Sequence, residues 1–274
     1  MKLYLSVDME GITGLPDATF VDSNKHNYER ARKIMTNEAN AVIQSAFDLN
    51  ASEVLVNDSH SKMNNLLSED LHPEALLITG DVKPYSMVQG LDATFDGAVF
   101  LGYHARASKP GVMSHSMTFG VRNFYINETA VGELGLNAYV AGYYDVPLIM
   151  VAGDDRVGKE ARQLIPNVVT TPVKESISRS SVKTLSPKKA GELLQAKTSE
   201  AIHNRKKIRP LTPPSTPTLR IEFTNYGQAE WAGLMPGTKI EPDSTTVSFQ
   251  AKDILEAYQA MLVMTELAMK TTFN

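Results

Sequence analysis

The 274-residue sequence predicts an α/β protein: a mostly parallel central sheet flanked by helices, with a smaller C-terminal α+β portion. Three observations carry this expectation. The first 104 residues follow a β-α-β-β order, the signature of an α/β sheet. Ala98-Val99-Phe100-Leu101 is an unbroken apolar run, which suits a strand covered on both faces. The composition, 42% hydrophobic and 21% charged, is that of a chain able to bury a full core.

The elements follow in order. Leu3, Leu5 and Val7 alternate with their neighbours, so residues 2–9 read as a strand, ended by Gly11 and Gly14. Between residues 24 and 49, Tyr28, Ala31, Met35, Val42, Ile43, Ala46 and Phe47 fall near helical spacing. Residues 53–56, 75–79 and 97–103 are the next three strands, and the first of these runs into Asn57-Asp58-Ser59-His60. Residues 112–118 and 121–127 read as two short β-like pieces. Gly132-Glu133-Leu134-Gly135 opens a helix that reaches about Tyr143. Residues 147–151 form another buried strand, and a helix from about Asp155 is stopped by Pro166. Residues 174–209 read as peripheral: a Ser-rich stretch, then a charged helix over about 187–206. The Pro-rich connector 210–217 is rigid and marks a possible subdomain boundary in a chain otherwise read as one metallopeptidase unit, 1–274. Residues 219–223 and 245–249 read as strands around Trp231, the single Trp, expected to be a packing anchor. The final helix, 251–269, is apolar on most faces and suits a core or a subunit interface.

Charge and cysteine usage remove several function classes. Lys plus Arg is 27 against 31 Asp plus Glu, a net −4 with no long basic stripe, which argues against a general nucleic-acid binder. The run Arg205-Lys206-Lys207 with Arg209 reads as a solvated helix end. Cysteine is absent, which excludes disulfides, thiol nucleophiles and Cys-ligated zinc, and fits a reducing compartment. The N-terminus lacks a signal-peptide pattern, and no apolar run approaches the ~20 residues that span a bilayer. The expected address is the cytoplasm, with no membrane and no nucleic-acid partner.

Ligands of α/β sheets sit beyond the carboxyl ends of the strands, so those ends hold the candidate site. Asp8 and Glu10 end the first strand, two residues apart and on one side of extended chain. Aimed together they repel, and a cation is their natural partner. His60 follows the second strand and His104 the fourth, while Glu133 opens a helix. Taken singly, each has an ordinary explanation: a solvated strand end, a surface imidazole, a carboxylate favoured by the helix dipole. Taken together, three carboxylates and two imidazoles suit zinc, with manganese or cobalt as substitutes. Five ligands exceed what one catalytic zinc uses; a bridged pair would use them all. His115, in Met113-Ser114-His115-Ser116, is a surface histidine unless it faces the metals, where it would be the free titratable group. On extended chain, Ser114 and Ser116 would face away from it, which argues against a Ser–His pair.

Five blocks in order sharpen the reading: Ser6-Val7-Asp8-Met9-Glu10-Gly11, Asn57-Asp58-Ser59-His60-Ser61, Gly102-Tyr103-His104-Ala105, Met113-Ser114-His115-Ser116 and Gly132-Glu133-Leu134-Gly135-Leu136-Asn137. They closely resemble the zinc-dependent D-aminopeptidases of the DppA type. The resemblance runs from Met1 through the last helix and includes Asn225-Tyr226-Gly227-Gln228-Ala229-Glu230-Trp231. It implies two zinc ions per chain on Asp8, Glu10, His60, His104 and Glu133, with Asp8 bridging, and His115 as the active-site residue. It implies removal of N-terminal D-amino acids such as D-Ala from short peptides, salvage of cell-wall-derived peptides, and a homo-oligomer, a ring-shaped decamer. All six site residues are present.

Two rival readings come from the same residues. Asp8-Met9-Glu10-Gly11-Ile12-Thr13 loosely matches the opening of haloacid-dehalogenase-type phosphatases, with Asp8 as phosphoryl acceptor and Gly153-Asp154-Asp155 as later magnesium acids. That reading leaves His60, His104 and Glu133 without roles and puts Glu10 where Asp is expected. The other is a peptide- or metal-binding protein without turnover.

Overall fold

A computed structural model describes residues 1–271. The first half runs β1 (Lys2–Val7), α1 (Tyr28–Asp48), β2 (Glu53–Asp58), β3 (Leu76–Ile78), β4 (Gly97–Tyr103), β5 (Val121–Ile126), β6 (Thr129–Val131) and α2 (Glu133–Tyr143). The second runs β7 (Leu148–Asp154), α3 (Asp155–Leu164), β8 (Val169–Ser178), β9 (Ser181–Thr184), α4 (Pro187–Asn204), β10 (Thr218–Phe223), α5 (Tyr226–Ala232), β11 (Thr238–Ile240), β12 (Thr246–Gln250) and α6 (Ile254–Ala268).

The main sheet has seven strands in the order β3-β2-β1-β4-β7-β8-β9. All its pairings are parallel except the edge pair β8–β9. The apolar runs are where a doubly covered sheet puts them: every residue of β4 and of β7 is buried. From β1 the chain steps to β2 on one side, then returns through β4 on the other. That reversal at β1 is a topological switch point, where the strand ends open a crevice.

Gly102 and Gly11 let the strand ends meet at that crevice. Gly11 N–H donates to the Gly102 carbonyl at 2.7 Å. A Cβ on Gly102, whose φ is +74°, would fall 2.0 Å from the Asp8 carbonyl oxygen. Gly102→Ala is therefore expected to cost about 3 kcal/mol or more, from left-handed strain plus overpacking. Urea unfolding measures it, and an unchanged midpoint would refute this account of the contact.

A buried polar chain ties helices to the sheet beneath the crevice. Ser6 Oγ lies 2.8 Å from the Tyr103 hydroxyl, Asn137 Nδ2 donates to that hydroxyl at 2.8 Å, and Tyr258 OH donates to Asn137 Oδ1 at 2.9 Å. It joins α6 and α2 to β4 and β1. The apolar face of α6 thus belongs to the core, with Tyr258, Met261 and Met264 buried. Among the described residues, no helix is long and apolar enough to cross a membrane.

Four expectations need correction. Residues 112–118 form a loop rather than a strand, with only an isolated Ser116–Thr118 bridge. Met113 and Met117 adopt φ of 47° and 60°, which break any extended run. The alternation argument about Ser114 and Ser116 therefore does not apply. Residues 174–209 are not wholly peripheral, because β8 is an inner strand and Lys174 is only 2% exposed. Pro172 and the serines concealed that strand. Trp231 is no packing anchor: it is 41% exposed on α5. The smaller sheet, ordered β11-β12-β10-β5-β6, is antiparallel and draws β5 and β6 from mid-chain, so it is not purely C-terminal.

Candidate metal centre

The switch point explains why Asp8 stands between two histidines. Val7 pairs with Asp58 of β2 on one side and with Leu101 of β4 on the other. Asp8 continues that register, donating its N–H to the Leu101 carbonyl at 2.8 Å. His60 lies just past β2 and His104 just past β4. Glu133, the first residue of α2, reaches in from the second sheet's β6. All five expected ligands are buried, and His115 joins them from the loop before β5. Asp8 and Glu10 do share a site, although β1 ends at Val7 and the chain has begun to turn by Glu10.

The donors form two trios that share Asp8. His60 Nδ1 lies 3.4 Å from Asp8 Oδ1 and 3.0 Å from Glu10 Oε2. His104 Nε2 lies 3.6 Å from Asp8 Oδ2 and 3.4 Å from Glu133 Oε2. Each imidazole commits its other nitrogen to a backbone carbonyl. His60 Nε2 is 2.8 Å from Val21 O, and His104 Nδ1 is 2.9 Å from Ala105 O. A neutral ring has one N–H, and the carbonyl takes it, so a lone pair faces the carboxylates.

With both rings neutral, acceptors face acceptors in a dry site. Asp8 Oδ2, Glu10 Oε2 and His104 Nε2 are buried without a hydrogen-bond partner. Such atoms are costly unless a cation lies between them. Ligands at ~2.1 Å from a tetrahedral zinc stand about 3.4 Å from one another, which matches the 3.0–3.6 Å between each imidazole nitrogen and its two carboxylate oxygens. The residues present thus fit first-row metal ions. Without metal, protons fill the role. Burial opposes the His60 and His104 cations, but the adjoining carboxylates outweigh it and raise both pKa values well above the ordinary imidazole range. Burial and the Glu10 charge push Asp8 up to about 7.

A pH dependence follows from those directions. The metal-free histidines hold their protons to unusually high pH, and each must lose one to bind metal. Metal affinity should rise with pH, about tenfold per unit for each imidazole proton displaced, and fall in acid. Chelator-buffered titrations at several pH values measure this. An affinity flat from pH ~5.5 to ~8 would contradict imidazole ligation.

His115 approaches the centre beside Glu10 and Glu133. Its Nε2 is 3.9 Å from both Glu10 Oε1 and Glu133 Oε1, the oxygens not turned toward His60 and His104. Its ring stacks on His104, with centroids 4.4 Å apart and planes 9° apart. The Met113 carbonyl lies 2.9 Å from Nδ1 and takes that N–H, leaving the Nε2 lone pair inward. Burial and the neighbouring His104 hold its pKa below the usual value, which favours the neutral ring.

Several contributors were not legible in the sequence. The Val21 and Ala105 carbonyls and the Met117 N–H, which donates to Glu133 Oε1 at 2.5 Å, are backbone groups without a residue-type signal. Phe119, 68% exposed, lies with its ring 4.9 Å from that of His115 and 5.4 Å from the Arg179 guanidinium. Asp154 is engaged elsewhere: its carboxylate caps α3 by accepting from Arg156 N and Val157 N. Asp155 pairs with Arg156 and Lys159. Neither acid is left to serve the phosphatase arrangement, and that reading is set aside.

Comparison with known proteins shows the family. Residues 1–263 match the peptidase family M55, described as D-aminopeptidase. The chain is 73% identical over 273 residues to a D-aminopeptidase of Bacillus subtilis (strain 168), covering 100% of both. Its fold superposes with a TM-score of 0.99, at 73% identity and full coverage of both chains, on the Zn-dependent D-aminopeptidase DppA from Bacillus subtilis, a self-compartmentalizing protease.

Proposed function

The chain belongs to the peptidase family M55, the D-aminopeptidases, and on that premise we propose that it is a two-zinc enzyme acting through Asp8, Glu10, His60, His104, Glu133 and His115. It is a zinc-dependent D-aminopeptidase. One observation carries the site assignment: two buried trios of carboxylate and imidazole atoms meet at Asp8, and Asp8 Oδ2, Glu10 Oε2 and His104 Nε2 among them have no hydrogen-bond partner. Glu10 and His60 would hold one ion, His104 and Glu133 the other, and Asp8 both.

Zinc held there supplies a Lewis acid for the scissile carbonyl and lowers the pKa of water toward ~7. The chain's own groups do the rest. His60 and His104 are kept in the productive tautomer by Val21 and Ala105. Glu10 Oε1 and Glu133 Oε1 are acceptors flanking His115, suited to a substrate's free amine, and so confine cleavage to the first residue. His115 Nε2, an acceptor at rest, takes a proton from the attacking water and returns it to the leaving amine. The reading extends to a closed ring of copies, a decamer; sedimentation of the purified chain measures its size.

The stereochemical test is direct. Pinning the amine and carbonyl leaves the first Cα two directions for its side chain, and a wall along one of them selects a hand. Each 1.4 kcal/mol of clash is a factor of ten. With one zinc-loaded preparation, kcat/KM on D-Ala-Gly-Gly is expected to exceed that on L-Ala-Gly-Gly by at least ~10²-fold. Equal rates or an L preference would overturn the D-specific assignment for this chain.

A further inference from the structure

Lys174 has no part in the chemistry above, yet its side chain is almost completely buried. It lies on β8, paired with Asp154 of β7, and its ammonium points under the turn that follows β1. An ammonium has three N–H donors. All three are used on one short segment: Nζ donates to Glu10 O at 2.5 Å, to Leu15 O at 2.7 Å and to Ile12 O at 2.8 Å.

Three carbonyls of a single turn converging on one buried point repel one another and cannot be satisfied by a sheet ladder. The segment has left β1, and its inward residues Ile12 and Leu15 are wholly buried. Its other anchors are sparse. Gly11 N–H bonds to Gly102 O, Thr13 N–H to Glu38 Oε1 and Gly14 N–H to Thr184 Oγ1. The lysine therefore acts as a fixed internal cation around which the turn is wound. One of the three carbonyls belongs to Glu10 itself, so the lysine pins the backbone from which that carboxylate reaches Oε2 toward His60.

We propose that Lys174 is a positioning residue of the metal centre, fixing the turn 10–15 so that Glu10 completes the Glu10–His60 half of the site. The inference rests on Glu10 being a metal ligand. It assigns an asymmetry, since Lys174 makes no hydrogen bond to His104 or Glu133 among the described residues. Losing a group that orients a ligand typically costs about 10–100-fold in metal affinity.

The experiment compares wild type, Lys174→Met and Glu10→Gln in chelator-buffered zinc and cobalt titrations, with hydrogen exchange over residues 10–15 in the metal-free proteins. Lys174→Met is expected to weaken one of two metal equivalents about 10–100-fold, leave the other nearly unchanged, alter the cobalt absorption bands, and speed exchange in the turn. A merely structural lysine would lower the unfolding temperature and leave both equivalents and the cobalt spectrum as in wild type; that result overturns the proposal. If Glu10→Gln also binds both equivalents normally, the metal reading fails first. If Glu10→Gln loses metal while Lys174→Met does not, only the positioning role fails. Should Lys174→Met not fold, Lys174→Arg is titrated instead. Its planar guanidinium keeps the charge but cannot converge on three carbonyls, and the same one-sided loss is expected. Native affinity in that variant, or failure of both variants to fold, overturns the proposal.

Discussion

Asp8→Ala is expected to empty the metal centre and to lower peptide hydrolysis by about 10⁴-fold or more. The reason is geometric. Asp8 Oδ1 faces His60 and Oδ2 faces His104, so its removal takes an oxygen from both trios at once. Removing Glu10 or Glu133 takes an oxygen from one trio only. Elemental analysis of protein purified without chelator should find about two zinc per wild-type chain and close to none in the variant. The fold should survive, because the backbone N–H of Asp8, not its carboxylate, joins the sheet by bonding to Leu101 O. Active wild-type enzyme with one equivalent, or a variant that retains both, would defeat the bridging assignment.

His115→Ala gives the second large effect and the opposite metal result. The variant should keep its metals and lose ~10²–10³ in kcat. Its Nε2 is 3.9 Å from the nearest carboxylate oxygens, whereas the imidazole nitrogens of both trios approach theirs at 3.0–3.6 Å. His104, on which it stacks, stays oriented by the Ala105 carbonyl when the neighbouring ring is gone. Near-normal kcat with normal metal would reduce His115 to a packing role. Loss of one metal would make it a ligand, a result its proximity to His104 and Glu133 makes worth measuring.

The two variants also separate what different kinds of information supply. Asp8, Glu10, His60, His104 and Glu133 were legible because each sits where a strand gives way to a turn or a helix opens, and because carboxylate and imidazole side chains declare their chemistry. The strands themselves were legible from apolar runs. The apolar run Ala98-Val99-Phe100-Leu101 suited a doubly covered strand, and all seven residues of β4 are buried. His115 was named for its residue type, but the extended chain imagined around it was wrong. Two left-handed methionines make a loop there, and the loop's own carbonyl at Met113 sets the ring. Gly, Asn and Asp advertise such turns in a sequence; Met does not.

What the sequence by itself determined is a list of chemical groups and the elements that carry them: an α/β sheet, three carboxylates, three imidazoles, no thiol. What only the tertiary structure decided is which atoms of those groups meet. The strand order β2-β1-β4 puts Asp8 between His60 and His104 and so makes it the shared carboxylate. The Val21 and Ala105 carbonyls choose which imidazole nitrogen faces inward. Lys174 shows the same division most sharply, since a lysine among serines and threonines reads as solvated until β8 enters the sheet. The physical reason is that side-chain chemistry is local, whereas the dry space that strips these groups of water, and the backbone carbonyls that orient them, come from segments up to 164 residues apart.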